Sequence, residues 1–120
     1  MTPEEKIARL QKALRYAGDY HGWDDVLRGL NSGYYQFFEN DNGCLVTEIV
    51  QLPRKRYLNI WLAGGKLDDV LSLVPQTEKH AKQNDCTELM AFGRRGWDRV
   101  LPQRGWRITG STFAKDVGNA

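Results

Sequence analysis

The sequence predicts a mixed α/β (α+β) fold: two helices, an antiparallel three-stranded meander, and a parallel strand reached through a helical crossover. Three observations carry this. Apolar residues recur every three or four positions between Ile7 and Leu30, and aromatic and β-branched runs take over from Tyr34 to Ala63. A helical stretch then separates the third of those runs from a fourth at Thr87 to Phe92. At 120 residues the chain is expected to form one domain, 1–120. Such a chain buries roughly two thirds of the surface its unfolded form exposes, so it needs no disulfide or metal to hold a core. Within it, 1–32 holds the two helices and 33–65 the meander, and 66–116 holds the crossover helix, a strand, a short helix and a last strand.

Thr2-Pro3-Glu4-Glu5 opens the first helix, with Thr2 as cap, Pro3 at the first helical position and Glu5 completing a capping box. Ile7, Leu10, Leu14 and Ala17 form its apolar face, Glu5, Lys6, Arg9, Lys12 and Arg15 its solvated one, and Gly18 ends it. A second helix is expected over Trp23 to Leu30, stopped at Asn31-Ser32-Gly33. Tyr34 to Phe38 suits a strand. Asn42-Gly43 signals a hairpin into a second strand, Cys44 to Leu52. Pro53-Arg54-Lys55-Arg56 is a solvated turn, and Tyr57 to Ala63 reads as a third, largely buried strand.

Gly64-Gly65 stops that strand. Leu67-Asp68-Asp69-Val70-Leu71 begins a helix with an acidic first turn, which Pro75 is expected to kink near Val74 or to break and restart. The helical stretch ends near Asn84-Asp85. The strand Thr87 to Phe92 then needs a parallel neighbour and a right-handed crossover. Arg94 to Leu101 is a short helix stopped by Pro102, Trp106 to Phe113 a final strand, and Val117 to Ala120 a frayed tail. Trp61 and Trp97 are expected as core anchors.

The composition excludes several classes. Seventeen Lys and Arg against 15 Asp and Glu give no strong charge bias. No apolar run approaches the roughly 18 residues of a membrane span, and Met-Thr-Pro-Glu-Glu-Lys has neither the basic start nor the apolar stretch of a secretory signal, so a cytoplasmic chain is expected. Cys44, Cys86, His21 and His80 lack the local pairing of a zinc site, so no metal is expected. Both cysteines read as small buried strand residues, reduced and unbridged.

Three features could carry chemistry. Gly64-Gly65 lies between a strand and a helix start, where backbone N–H groups can hold phosphate, yet Asp68 and Asp69 would repel a diphosphate; a plain strand-to-helix turn is the preferred reading. The segment 93–107 says Arg-Gly-Trp twice and holds Arg94, Arg95, Arg99, Arg104 and Arg107 against one Asp. Interleaved Arg and Trp can stack bases and bind phosphates, although a helix with inward Trp97, Val100 and Leu101 and solvated guanidiniums accounts for it more simply. Glu48 shares a strand face with Val46 and Val50, and is either a general-base candidate or a charge on the sheet surface.

In its element order the chain resembles the GNAT N-acetyltransferase superfamily without its first strand. The runs Thr47-Glu48-Ile49, Pro53-Arg54, Leu58 to Leu67, Gly93 to Leu101 and Gly105-Trp106 further resemble small GNAT-like proteins of tailed phages and prophages, over about residues 20 to 115. For active enzymes the resemblance implies an acetyl-CoA site between two splayed neighbouring strands, a pyrophosphate loop of the form Arg/Gln-x-x-Gly-x-Gly/Ala, and often a Tyr in the last helix as general acid. Here the loop position reads Leu62-Ala63-Gly64-Gly65-Lys66, and Leu101 stands where the Tyr is usual. Leucine cannot donate a proton. The expectation is therefore a phage-type GNAT-fold structural or interaction module, virion-associated or accessory. Its acetyl-CoA site at Leu62, Ala63, Gly64, Gly65 and Lys66 would be degenerate, and a protein partner or a second copy would be its ligand. The alternatives are an acetyl-CoA-dependent N-acetyltransferase using Glu48 or water as base, and nucleic-acid binding through the five arginines.

Overall fold

The structure, a computed structural model, describes residues 1–118. Asn119 and Ala120, the end of the expected tail, lie outside the described residues. Two helices, α1 (Pro3–Tyr16) and α2 (Trp23–Ser32), precede the strands β1 (Tyr35–Glu39), β2 (Gly43–Gln51) and β3 (Arg56–Gly65). Then follow α3 (Leu67–Leu71), α4 (Val74–Gln83), β4 (Glu88–Ala91) and α5 (Trp97–Val100), which runs into a 3₁₀ turn, Leu101–Arg104. The four strands form one sheet in chain order, β1-β2-β3-β4, antiparallel except for the parallel pair β3 and β4.

The capping box at Thr2 is formed in full: Glu5 N donates to Thr2 Oγ1 at 3.1 Å, and Thr2 N to Glu5 Oε1. The buried face of α1 is rotated from the expected one. Leu10, Ala13 and Leu14 are buried together with Lys6, while Ile7 and Ala17 are exposed. Lys6 can go under because its ammonium is satisfied there: Nζ reaches Glu39 Oε1 and the Asn40 carbonyl, both at 2.7 Å. A paired cation with an apolar stem covers the β1–β2 turn as an aliphatic residue would.

That hairpin turn uses Asn42-Gly43 differently from expectation. Glu39 pairs with Cys44, and Asn40 carries the turn: its Oδ1 accepts from Asn42 N, while its Nδ2 donates to the Asp69 carbonyl and to Ser72 Oγ. Gly43 already belongs to β2, and a Cβ there would stand 3.3 Å from the Asp69 backbone. Glycine is favoured by the close approach of α3, not by a left-handed turn.

Two layers of side chains cover the sheet. On one face α1 and α2 bury Leu10, Leu14 and Val26 against Cys44, Val46 and Leu62; on the other α3 and α4 bury Val70, Leu73 and Ala81 against Leu45, Ile60, Ala63 and Leu58. The crossover helix breaks as Pro75 requires, α4 restarting at Val74 with Pro75 in its first turn. Cys44 and Cys86 are free, buried thiols, and burial pushes the Cys44 thiol up, so it remains protonated. No described helix is long and apolar enough to cross a membrane, and no group of three His, Cys, Asp or Glu among the described residues could hold a metal ion.

Three expectations are corrected. The last strand, Trp106 to Phe113, does not form: residues 105–118 are irregular and all exposed except Trp106, whose N–H caps the 3₁₀ turn on the Leu101 carbonyl. β4 is only four residues long, and alternating side chains from 106 onward find no apolar surface to bury, so propensity alone does not create a strand. Likewise Trp61 and Trp97 are half-buried, packed on the flanks of the two core layers. The helix expected over Arg94 to Leu101 is shorter, Trp97–Val100; it ends just before Pro102, which sits in the first turn of the 3₁₀ helix, where a missing N–H costs nothing.

Candidate functional site

β3 is the strand that builds a cleft. β2 runs along its whole length, but β4 pairs only with Tyr57 to Ile60 and leaves it there. From Trp61 to Gly65 the edge of β3 on that side has no strand partner. A β-bulge sits at the divergence: Val46 pairs with Leu62 and Thr47 with Ile60, so Trp61 is the extra residue. The bulge resets the alternation, placing Trp61 and Leu62 on the same face of the sheet, while Ile60 and Ala63 lie on the other.

Between the diverging strands lies an open cleft of about 1350 Å³. One wall is the C-terminal end of α1 and the loop after it, with Tyr16, Tyr20 and His21. Trp61, Tyr35 and Glu48 line it from the sheet, and β4 with the segment 92–112 closes the far side. The aromatic wall is continuous: the His21 and Trp61 rings are 4.7 Å apart edge to face, Tyr35 lies 4.9 Å from Trp61, and Tyr34 lies 5.0 Å from Tyr35.

Glu48 is held at the centre of the sheet, paired with Tyr35 on β1 and Asn59 on β3. It is half-buried, and Asn59 Nδ2 donates to its Oε1 at 3.4 Å. Its negative charge raises the pKa of the neighbouring Tyr34 hydroxyl, whereas Tyr35 is raised chiefly by burial and then by Glu48. Asn59 Oδ1, behind it, is buried without a hydrogen-bond partner.

The other expected residues separate. Leu62 is buried under α1 and α2, and Ala63 under α3. Gly64 allows α1 to cross close to the sheet, since a Cβ would stand 2.9 Å from Arg9 Cβ and 3.0 Å from Cys44 Sγ. Gly65 has φ +119° and would carry a Cβ 2.5 Å from the Asn42 carbonyl. Lys66 is exposed and caps α3, a helix of five residues with Asp68 and Asp69 in its first turn. Both glycines are thus accounted for by the packing of this chain.

Of the five arginines, Arg94, Arg95, Arg104 and Arg107 line the cleft and Arg99 lies apart from it, but they differ in what they are bound to. Arg104 pairs with Asp68 and Arg107 with Glu88, and Arg94 turns inward. Only Arg95 and Arg99 are exposed and outside the described ion pairs. Arg94 Nη2 donates to the Ala63 carbonyl at 2.5 Å, across the split between β3 and β4, with its guanidinium 5.8 Å from the Tyr16 ring. Of the expected residues, Glu48, Ala63, Arg94, Arg95, Arg104 and Arg107 reach the cleft. Sequence reasoning missed Tyr16, His21, Tyr35 and Trp61: it expects Trp61 as a core anchor, Tyr35 as a strand residue and His21 only as a histidine without metal-site pairing, and it does not single out Tyr16; the bulge that turns Trp61 toward the cleft leaves no mark in the sequence.

No family model matches the sequence, and no curated protein matches it. Solved structures do. A GCN5-related N-acetyltransferase from Ralstonia eutropha JMP134 superposes with a TM-score of 0.67 at 13% identity, covering 96% of this chain and 92% of that one. A GNAT family acetyltransferase from Staphylococcus aureus matches with a TM-score of 0.57 at 15% identity, over 98% and 95%. A ribosomal-protein-alanine N-acetyltransferase from Brucella melitensis biovar Abortus 2308 matches at 0.59 and 12%, over 92% and 93%. The chain therefore has the GNAT acetyltransferase-like fold, on a four-stranded mixed sheet. Acetyl-CoA, the cofactor that fold implies in active enzymes, is poorly matched by the residues present. The edge carbonyl of Ala63 is already taken, both loop glycines are consumed by packing, and the helix that would face the diphosphate is one short turn bearing two carboxylates.

Proposed function

We propose that this chain is a GNAT-fold interaction module whose cleft has kept its shape and lost its hold on acetyl-CoA. The observation that carries the reading is Arg94 on the Ala63 carbonyl, where a guanidinium occupies the free edge of β3 at the point of divergence. Asp68 and Asp69 support it: two carboxylates in the first turn of α3, that of Asp68 partly offset by Arg104, oppose a diphosphate where a five-residue helix offers an anion little. Calorimetric titration with acetyl-CoA tests it. Weak or absent binding is expected, and a micromolar dissociation constant would overturn the reading.

The second reading is an acetyl-CoA-dependent N-acetyltransferase, and Glu48 favours it, as a half-buried carboxylate lining the cleft. If acetyl-CoA binds, Asp68→Asn with Asp69→Asn should tighten it, and Glu48→Gln should remove turnover of amine acceptors. A phage-type, virion-associated or accessory role, with a protein or a second copy as partner, is the finer form of the first reading; a gene position among capsid and tail genes would support it. Nucleic-acid binding has only Arg95 and Arg99 free to serve it, and the absence of a mobility shift at low salt, where electrostatic affinity is greatest, would end that reading.

A further inference from the structure

Two half-buried groups of opposite charge face the same cleft and lack ionic partners. Glu48 and Arg94 join none of the ion pairs among the described residues, although Arg104, Arg107 and Glu88 nearby are all paired. Arg94 spends one of its five N–H donors on Ala63 O and is held there above Tyr16. Glu48 accepts one long hydrogen bond from Asn59 and has the Tyr34 hydroxyl beside it, which leaves lone pairs free. Both are partly shielded from water and both line the cleft, so each is placed to meet an opposite charge on a ligand there.

Their separation follows from the strand. Glu48 is paired with Asn59 and Arg94 is bonded to Ala63, four positions further along β3. At about 3.3 Å per residue, shortened by the bulge, that is roughly 10–13 Å along the strand, and with Glu48 one strand spacing to one side of β3 and Arg94 at its other edge the two charges stand roughly 13–15 Å apart. The indole of Trp61 lies between the two ends, with Tyr35 and His21 beside it. A ligand that satisfies both charges must therefore be extended, carry an ammonium at one end and a carboxylate at the other, and lay an amphipathic body over an aromatic floor. An extended peptide spans about 3.3–3.6 Å per residue, so three to four residues with free termini fit.

We propose that the cleft binds the zwitterionic form of a short extended peptide, its ammonium at Glu48 and its terminal carboxylate at Arg94. This rests on the interaction-module reading and names the ligand class of that site. Planar, bidentate recognition by the remaining Arg94 donors suits a carboxylate.

Calorimetry with trialanine and tetraalanine tests it, each with free termini, N-acetylated, and C-amidated. The free peptides are expected to bind, and capping either end to weaken binding about tenfold. In Glu48→Gln the N-acetyl cap should lose its effect while the amide cap keeps it, and in Arg94→Gln the reverse. The capping comparison on the unmodified protein stands whether or not either variant folds. Failure of both free peptides to bind at millimolar concentration, or equal binding of capped and uncapped forms, would overturn the proposal. An acetyl-CoA affinity in the micromolar range would overturn the interaction-module reading instead, and leaves a different signature because the peptide series contains no thioester or diphosphate.

Discussion

The stretch from α1 to β4 and the stretch from Phe92 to Gly118 are held in place by different means. In the first, helices and strands close over two layers of fully buried side chains, and Val26, Leu45, Val46, Leu58 and Leu73 retain no measurable exposure. In the second no described residue is buried, and Phe113 is 91% exposed. There the attachments are two half-buried tryptophans, the Arg94 hydrogen bond, and ion pairs from Arg104 and Arg107. The same chain thus contains a region whose position is fixed by apolar burial and one fixed by a few polar tethers. The cleft lies on the seam between them.

The largest effect should come from the first region. Leu62→Ala removes a fully buried side chain from the layer between β3 and α1, and should cost about 3–4 kcal/mol in urea melts, within the range of leucine truncations in close-packed cores. Trp61→Ala and Trp97→Ala remove larger side chains that are only half-buried, and each should cost about 2 kcal/mol, below the roughly 3–5 of full aromatic burial. If Trp97→Ala proved as damaging as Leu62→Ala, the contrast between the two regions would collapse.

A smaller loss is expected at the N-terminus of α1. Thr2→Ala removes the capping acceptor for Glu5 N and should cost about 1 kcal/mol. The smallest effect is visible as a pH dependence. Arg107, and then Lys55, hold the Glu88 carboxyl below the usual carboxylate range. A carboxylate lowered in the folded state adds stability that is present above its unfolded pKa and is lost as pH falls through the folded value. Arg107→Ala should therefore shrink the drop in urea midpoint between neutral pH and about pH 3. An unchanged acid limb would mean that the ion pair does not tether the C-terminal segment to β4.

The contrast also explains what the sequence could disclose. Helix starts, the meander, the break at Pro75 and the parallel crossover were legible because each follows from periodicity or a local stop signal. Lys6 was not: its burial depends on Glu39 and Asn40, which only the hairpin brings to it. The strand expected at Trp106 to Phe113 has the right residues and no surface to lie on. At the cleft, Glu48 and Arg94 were legible as candidates by residue type, yet their common setting was not, because it arises from β4 leaving β3 and from one extra residue at Trp61.

The order of the sheet has a kinetic consequence. Because β1, β2 and β3 are neighbours in space as they are in sequence, the meander can zip up by closing two short turns, at little entropic cost. β4 must wait for α3 and α4 to form and pack before its parallel pairing is rewarded. Folding should accordingly nucleate in the meander under α1, with high φ-values at Val46 and Leu62 and low ones at Leu89 and Ala91. The edge that opens onto the cleft would then be the last to be secured and the first to be released.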